Sequence, residues 1–213
     1  MVIQEIIISP NSKQRSAIEH PPAPLMILAG AGTGKTFTLE NRIVYLIKEY
    51  QNGDRSAFDK IVRRHLSNTI GFFYTITQDR MVSEDLAQDV FFKLFRHLKK
   101  FRFKSSFSTY LYRINLNTAN SWFTRNKWKN FLSLEKAADK GYRDTNVEDE
   151  WNRKELWSEI SKLPKKQRSV VIMRIAEELS YKEISKITGM AEGSAKVNFH
   201  HALKTLKQRL NHD

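Results

Sequence analysis

Residues 180–210 read SYKEISKITGMAEGSAKVNFHHALKTLKQRL. Ser180 and Glu183 stand in the S-x-x-E spacing of a capping box, so a helix starts here. Ile184 and Ile187 give that helix one apolar edge. Gly189 then supplies the left-handed residue that ends a short helix. Glu192 opens a second helix to about Leu210. Its apolar seam is predicted as Ala195, Phe199, Ala202, Leu203 and Leu206, with Lys196, His200, His201 and Lys204 off the seam. A short helix, a glycine turn and a longer helix with a polar outer face form the helix-turn-helix pattern of DNA readers. An αα-hairpin with a solvated charged face has the same spacing.

The net charge favours the DNA-reading pattern over the solvated hairpin. The chain has 213 residues, no cysteine and a formal charge of +13. That balance points to a polyanionic partner, with nucleic acid first and an anionic membrane surface second. Without cysteine there are no disulfides, thiolate metal sites or cysteine nucleophiles, which fits a reducing cytosol. No run of 18 apolar residues exists, so membrane insertion is not expected. The N-terminus carries no secretory pattern. Hydrophobic residues at 40% and aromatics at 11% exclude wholesale disorder.

The charge is unevenly distributed. Residues 1–48 carry net +2, residues 49–130 net +8, residues 131–150 net −3 and residues 151–213 net +6. Two basic blocks therefore flank an acidic stretch, FLSLEKAADKGYRDTNVEDE, that reads as a linker. Outside it the chain reads as helix over 55–76, 84–98, 107–125, 150–163 and 165–178. Ser83 is the expected cap of the second of these, and Pro164 the stop of the fourth. Only residues 1–48 hint at strand.

Two further features carry chemistry. Asp85, Gln88, Asp89 and Phe92 fall on one side of the 84–98 helix, off its seam of Ala87, Val90, Phe91, Leu94, Phe95 and Leu98. An acidic stripe with an exposed ring, inside a basic block, suits a protein-docking face. Between Phe101 and Phe131, nine aromatic residues interleave with lysines and arginines. Rings beside cations suit single-stranded nucleic acid, whose bases stack while the cations follow the phosphates. About half of those rings are expected in the core.

Taken together, residues 49–213 resemble an extracytoplasmic-function sigma factor of bacterial RNA polymerase. EYQNGDRSAFDKIVRRH resembles the opening of region 2, VSEDLAQDVFFKLFRHLKKFR its polymerase-binding helix, and SSFSTYLYRINLNTANSWF its promoter-melting segment. Residues 163–210 resemble region 4. The resemblance implies that Asp85, Gln88, Asp89 and Phe92 engage the clamp helices of the polymerase's largest subunit. It implies that Phe107, Thr109, Tyr110 and Asn117 open the −10 element and hold a flipped base. Ser194, Lys196, His200 and His201 would face the −35 element. The family often has arginines there, whereas histidine as a residue type is weakly charged at pH 7, which implies weaker phosphate contacts. Core polymerase and promoter DNA are the implied partners, with an anti-sigma factor as a further one.

The first 48 residues are of another kind. NSKQRSAIEHPPAPLMILAGAGTGKTFTLENRIVYLI resembles the start of a UvrD/Rep-type superfamily-1 helicase. Gln14 matches a Q motif that reads adenine. Gly30, Gly32, Gly34, Lys35 and Thr36 match a Walker A loop, in which backbone N–H groups wrap phosphates, the lysine reaches the β/γ-phosphates and the threonine holds Mg²⁺. ATP with Mg²⁺ is therefore the one cofactor that the resemblance implies, at a loop remnant, and no cofactor is required. Leu25–Ala29 reads as the P-loop strand, with Ile3–Ile8 as its one available neighbour. A P-loop strand needs a parallel sheet covered on both faces. No Walker B pair, arginine finger or later helicase motif follows, so ATP hydrolysis is not expected.

The expected architecture is mainly α: a small incomplete P-loop α/β-like appendage (1–48), region 2 (49–130), an acidic linker (131–147) and region 4 (148–213). RIVYLIKEYQNGD suits both parents as helix, so the joint is expected to be continuous. The expected function is promoter recognition and melting by a dissociable polymerase subunit that is not itself an enzyme. A UvrD-like helicase fragment and a plain helix-turn-helix regulator are the alternatives. The second leaves the acidic stripe and the 107–117 segment unexplained.

Overall fold

The computed structural model describes residues 9–20, 34–133 and 155–210, and every element within them is helical. In chain order these are α1 (Ser12–Ile18), α2 (Lys35–Gln51), α3 (Arg55–Thr77), α4 (Arg80–Leu98), α5 (Phe107–Ser133), α6 (residues 155–161), α7 (Lys165–Ile175), α8 (Tyr181–Thr188) and α9 (Glu192–Leu210). The expected strands at Ile3–Ile8 and Leu25–Ala29 lie outside the described residues, as does the 131–147 linker beyond its first three positions. The chain divides into two compact units, one of residues 1–65 and 95–107, the other of residues 66–94 and 108–213.

The first unit is organised by α2. Ile43, Leu46, Ile47 and Tyr50 are buried along it at i, i+3, i+4 and i+7. Arg42 Nη1 donates to the carbonyls of Ala17 and Ile18 at 3.2 and 2.7 Å, which satisfies the open C-terminus of α1. The Tyr50 ring sits 5.2 Å from Phe58 and 5.8 Å from Phe95, and its hydroxyl donates to the Phe95 carbonyl at 3.0 Å. Gln51 Nε2 donates to the carbonyls of Leu98 and Phe101, closing the end of α4. α2 crosses residues 48 and 49 without a break. The core of this unit therefore draws on both sides of the sequence joint.

In the second unit, α4 begins earlier than expected. Asp79 Oδ1 accepts from Val82 N at 3.1 Å, one turn ahead of the predicted cap. Ser83 lies inside the helix, fully buried, and its Oγ donates to the Asp79 carbonyl. Asp79 won because its carboxylate reaches an orphan N–H that Ser83 would have to wait a turn to meet. Of the helix expected over 150–163, residues 155–161 are helical and 162–163 are not, while positions 150–154 lie outside the described residues; α7 starts at Lys165 immediately after Pro164, as predicted. α7 ends at Ile175, before the expected 178. Its exit carries Glu178 in the left-handed region, at φ 51°. Val170, Val171, Ile172 and Met173 bury the middle of α7, against which α9 packs.

The helix-turn-helix forms as read. Ser180 accepts from Glu183 N, and Glu183 returns a bond to Ser180 N at 2.8 Å. Gly189 takes φ 76° and its N–H reaches the Ser185 carbonyl at 2.8 Å. A β-carbon there meets nothing within 4 Å, so the backbone angle alone asks for glycine. On α9, Ala195, Ala202 and Leu206 are buried, but Leu203 is 37% exposed, a correction to the predicted seam. Phe199 instead packs edge-on to Tyr181 at 6.1 Å, with the Arg174 guanidinium over both rings.

Candidate nucleic-acid and polymerase interface

Burial along α4 separates two faces. Leu86, Ala87, Val90, Phe91 and Leu94 are buried, while Asp85, Gln88 and Asp89 are exposed and Phe92 is 61% exposed. Three polar groups and a ring therefore share one outward stripe, at the spacing the sequence predicted. Lys93 Nζ donates to Thr118 Oγ1 at 2.8 Å and ties this helix to α5. Phe95, placed in the apolar seam by its spacing, is 41% exposed although one side touches Tyr50 and Phe58.

On α5, Asn117 is exposed, while Thr109 and Tyr110 are half-buried and burial raises the Tyr110 hydroxyl pKa. Phe107 is buried, with its ring 5.2 Å from His65, so it offers no open face for stacking. Among the other described rings of this stretch, Phe123 is buried, Phe101, Tyr112 and Trp122 are half-buried, and Phe103 is exposed. Trp128 and Phe131 have no described side chains. Phe103 sits at φ 54° and packs edge-on to Phe101.

Asn117 opens on a cleft of about 400 Å³. Arg113 and Asn120 from α5 line it, with Lys165, Lys166 and Ser169 from α7. Three cations and four neutral hydrogen-bonding side chains, Thr188 among them, make the lining suited to phosphate and base edges.

On α9, Ser194, Lys196, His200 and His201 are all exposed. Lys196 pairs with Glu192 at 3.3 Å, with both side chains about half exposed, so the pair is weak and leaves the ammonium able to exchange to a phosphate. Val197 lies between them at 54% exposure. An isolated valine on a polar face gives no periodic signal, so helical spacing does not announce it. Its methyls could meet a thymine methyl in a major groove.

At the N-terminal site, Gln14 forms a capping box with Asn11. A β-carbon on Gly34 would lie 2.9 Å from Gln14 Nε2, and Gly34 has φ 80°. The structure thus brings Gln14 beside the last loop glycine. Gly30 and Gly32 lie outside the described residues, as do the side chains of Lys35 and Thr36. Among the described residues, no group of three or more His, Asp or Glu is placed to hold a metal ion, and no helix is long and apolar enough to cross a membrane.

Known protein families match three stretches of the chain. The family described as sigma-70 region 2 matches residues 61–129, and sigma-70 region 4 matches residues 153–206. The UvrD/REP helicase N-terminal domain matches residues 10–61. The SigW ECF sigma factor of Bacillus subtilis is 28% identical over 185 residues, spanning 81% of this chain and 98% of its own. The ECF sigma-E factor of Haemophilus influenzae is 29% identical, spanning 78% and 93%. Among solved structures, CnrH, in complex with the cytosolic domain of CnrY, has a similar fold. It matches with a TM-score of 0.54 at 20% identity, over 79% of this chain and 97% of its own. The chain belongs to the extracytoplasmic-function sigma factors of the sigma-70 family. It is a transcription initiation factor that works with RNA polymerase on promoter DNA.

Proposed function

We propose a residue-level division of that work. Asp85, Gln88, Asp89 and Phe92 dock the protein on the clamp helices of the polymerase's largest subunit. Thr109, Tyr110 and Asn117 read the −10 element as it opens, with Asn117 hydrogen-bonding a flipped base. Extracting a base costs a few kcal/mol, so edge hydrogen bonds and stacking must repay it. Phe107 acts beneath that segment as support. Ser194, Lys196, Val197, His200 and His201 read the −35 duplex. The observation carrying this reading is the separation of faces on α4, where Asp85, Gln88, Asp89 and Phe92 are exposed while Leu86, Ala87, Val90, Phe91 and Leu94 are buried.

Residues 49–130 are proposed as region 2 and 148–213 as region 4, with catalysis left to the polymerase and the protein acting in the cytoplasm. An anti-sigma factor is a further partner. The segment 1–48 is proposed as a helicase-derived appendage. Gln14, Gly34, Lys35 and Thr36, with Gly30 and Gly32, are its candidate contacts for ATP and Mg²⁺, and the proximity of Gln14 to Gly34 supports this. Run-off transcription with core polymerase tests the whole. Specific initiation that is lost in Asp85→Lys/Asp89→Lys upholds the reading, and initiation unchanged by that variant rejects the docking face.

A further inference from the structure

A separate cleft of about 340 Å³ lies in the first compact unit, between α2 and α3. Near the turn that joins the two helices, Tyr50 packs on Phe58. Farther along, Arg42 and Leu46 of α2 and Lys60, Arg63 and Arg64 of α3 line the cleft. Helical period places them there: positions 42 and 46 are one turn apart, and 60, 63 and 64 share one face. Leu46 is buried, Arg42 and Lys60 are half-buried, and Arg63 and Arg64 are exposed. Four cations thus converge above one apolar side chain.

These charges repel one another and are not neutralised locally. Arg42 is held in place, since its Nη1 donates to the carbonyls of Ala17 and Ile18. Burial lowers the pKa of Arg64, with repulsion from Arg42 adding to it, yet a guanidinium stays charged at any ordinary pH. None of the four cations forms an ion pair among the described residues. The Asp54 carboxylate feels the charge of Lys60, but it accepts from Ser56 N at 2.8 Å and does not line the cleft. Guanidinium forks match phosphate oxygens two at a time. A strand of nucleic acid asks for stacking rings along its groove, and no aromatic residue lines this one. Four cations in one concave space suit a compact anion that carries several charges.

We propose that the α2–α3 cleft binds a compact polyphosphate, either an inorganic chain or the phosphate tail of a nucleotide, through Arg42, Lys60, Arg63 and Arg64. The site uses none of the residues assigned to the DNA-reading faces, the polymerase stripe or the N-terminal loop. Arg42 precedes the region 2 match at residues 61–129, whereas Arg63 and Arg64 lie inside it. The ligand therefore bridges the sequence joint. By relieving the repulsion it ties α2 to α3, and a ligand that binds only the folded state stabilises it.

Titration calorimetry tests this on the full chain carrying Lys35→Ala, which removes the lysine of the N-terminal loop. Tripolyphosphate, ATP and AMP are compared at one ionic strength. Tripolyphosphate should bind saturably, one per chain, and AMP much less tightly. Lys60→Gln/Arg63→Gln should weaken tripolyphosphate about tenfold or more, the loss expected for a hydrogen bond to a charged group. Arg63→Gln alone changes one exposed side chain and should act in the same direction, with the thermal midpoint of the free protein unchanged. Lys182→Gln/Lys207→Gln removes two exposed charges outside the cleft and should leave the affinity as it was. Tighter binding of ATP than of tripolyphosphate makes the nucleotide the ligand, and the reverse order makes it the inorganic chain; either upholds the site. Absence of saturable binding, or equal weakening by the two double variants, overturns it. So does a single-stranded 12-mer that loses affinity in Lys60→Gln/Arg63→Gln while tripolyphosphate fails to bind, because the cleft then belongs to a strand.

Discussion

The His65 ring lies 5.2 Å from the Phe107 ring, and its Nε2 is buried without a hydrogen-bond partner among the described residues. Burial, with Arg64 adding repulsion, lowers its pKa from 6.5 to about 4. The folded state thus refuses a proton that the unfolded state accepts. The contribution to stability is full above about pH 6.5 and is lost as pH falls through about 4. The ring is partly exposed, so screening limits the effect to about 1–2 kcal/mol. His65→Phe keeps a ring against Phe107 and should flatten this part of the stability curve. Urea unfolding at pH 7.5 and 4.5 checks it: the parent should lose more stability than the variant, and equal losses would reject the assignment.

The continuity of α2 separates two truncations. Removing residues 1–42 keeps Ile43, Leu46, Ile47 and Tyr50, so transcription should be largely retained. Removing residues 1–51 takes all four buried side chains and the Tyr50 bond to the Phe95 carbonyl. Each large buried side chain lost costs about 2–5 kcal/mol, so the longer truncation should fail to fold stably. Thermal unfolding and run-off transcription compare the two. Equal behaviour would show that α2 is dispensable to the core.

Asp85→Lys with Asp89→Lys should abolish co-purification with core polymerase. Both residues are exposed, so stability should change by less than about 1 kcal/mol. Reversal of two charges at a docking face should cost several-fold to many-fold in affinity. Retained binding would remove the stripe from the interface.

Asn117→Ala should impair strand opening more than duplex binding, and Lys196→Ala the reverse. Val197→Ser should weaken duplex binding mainly at sites with a thymine under α9, by roughly 1 kcal/mol or more per lost base contact. Permanganate reactivity reports opening and a gel shift reports duplex binding. Equal damage to one step by both Asn117→Ala and Lys196→Ala would collapse the division of labour.

What was legible in the sequence was local. Ser180 with Glu183 and the left-handed Gly189 are signals within a few residues of one another, and both ends of α8 form where they say. The Asp85–Phe92 stripe follows from helical period alone. The start of α4 is not legible from spacing, because Asp79 and Ser83 can each cap a helix and spacing does not choose between acceptors. Leu203 falls within a wide apolar arc of α9 but lies off the buried line. Ala195, Ala202 and Leu206 form a narrower line. Phe107 matched a strand-opening position, yet it is buried against His65, a partner 42 positions earlier that no local pattern announces. The pairings of Tyr112, Arg113 and Asn120 join positions 48 to 74 residues apart and lie beyond any reading of period.

The caps on α8 also set a timetable. The bonds of Ser180 with Glu183 and of Gly189 with Ser185 span three and four residues, so almost no loop must close before they form. Contact order is low there, and such units fold in microseconds to milliseconds. The Tyr50 bond to Phe95 closes a separation of 45 residues, and the entropy of that loop must be met before any reward arrives. The C-terminal helices should therefore assemble first on refolding, while the α2 core sets the slow phase. On refolding, the helix-turn-helix would then be in place before the opposite end of the chain has closed its long loops.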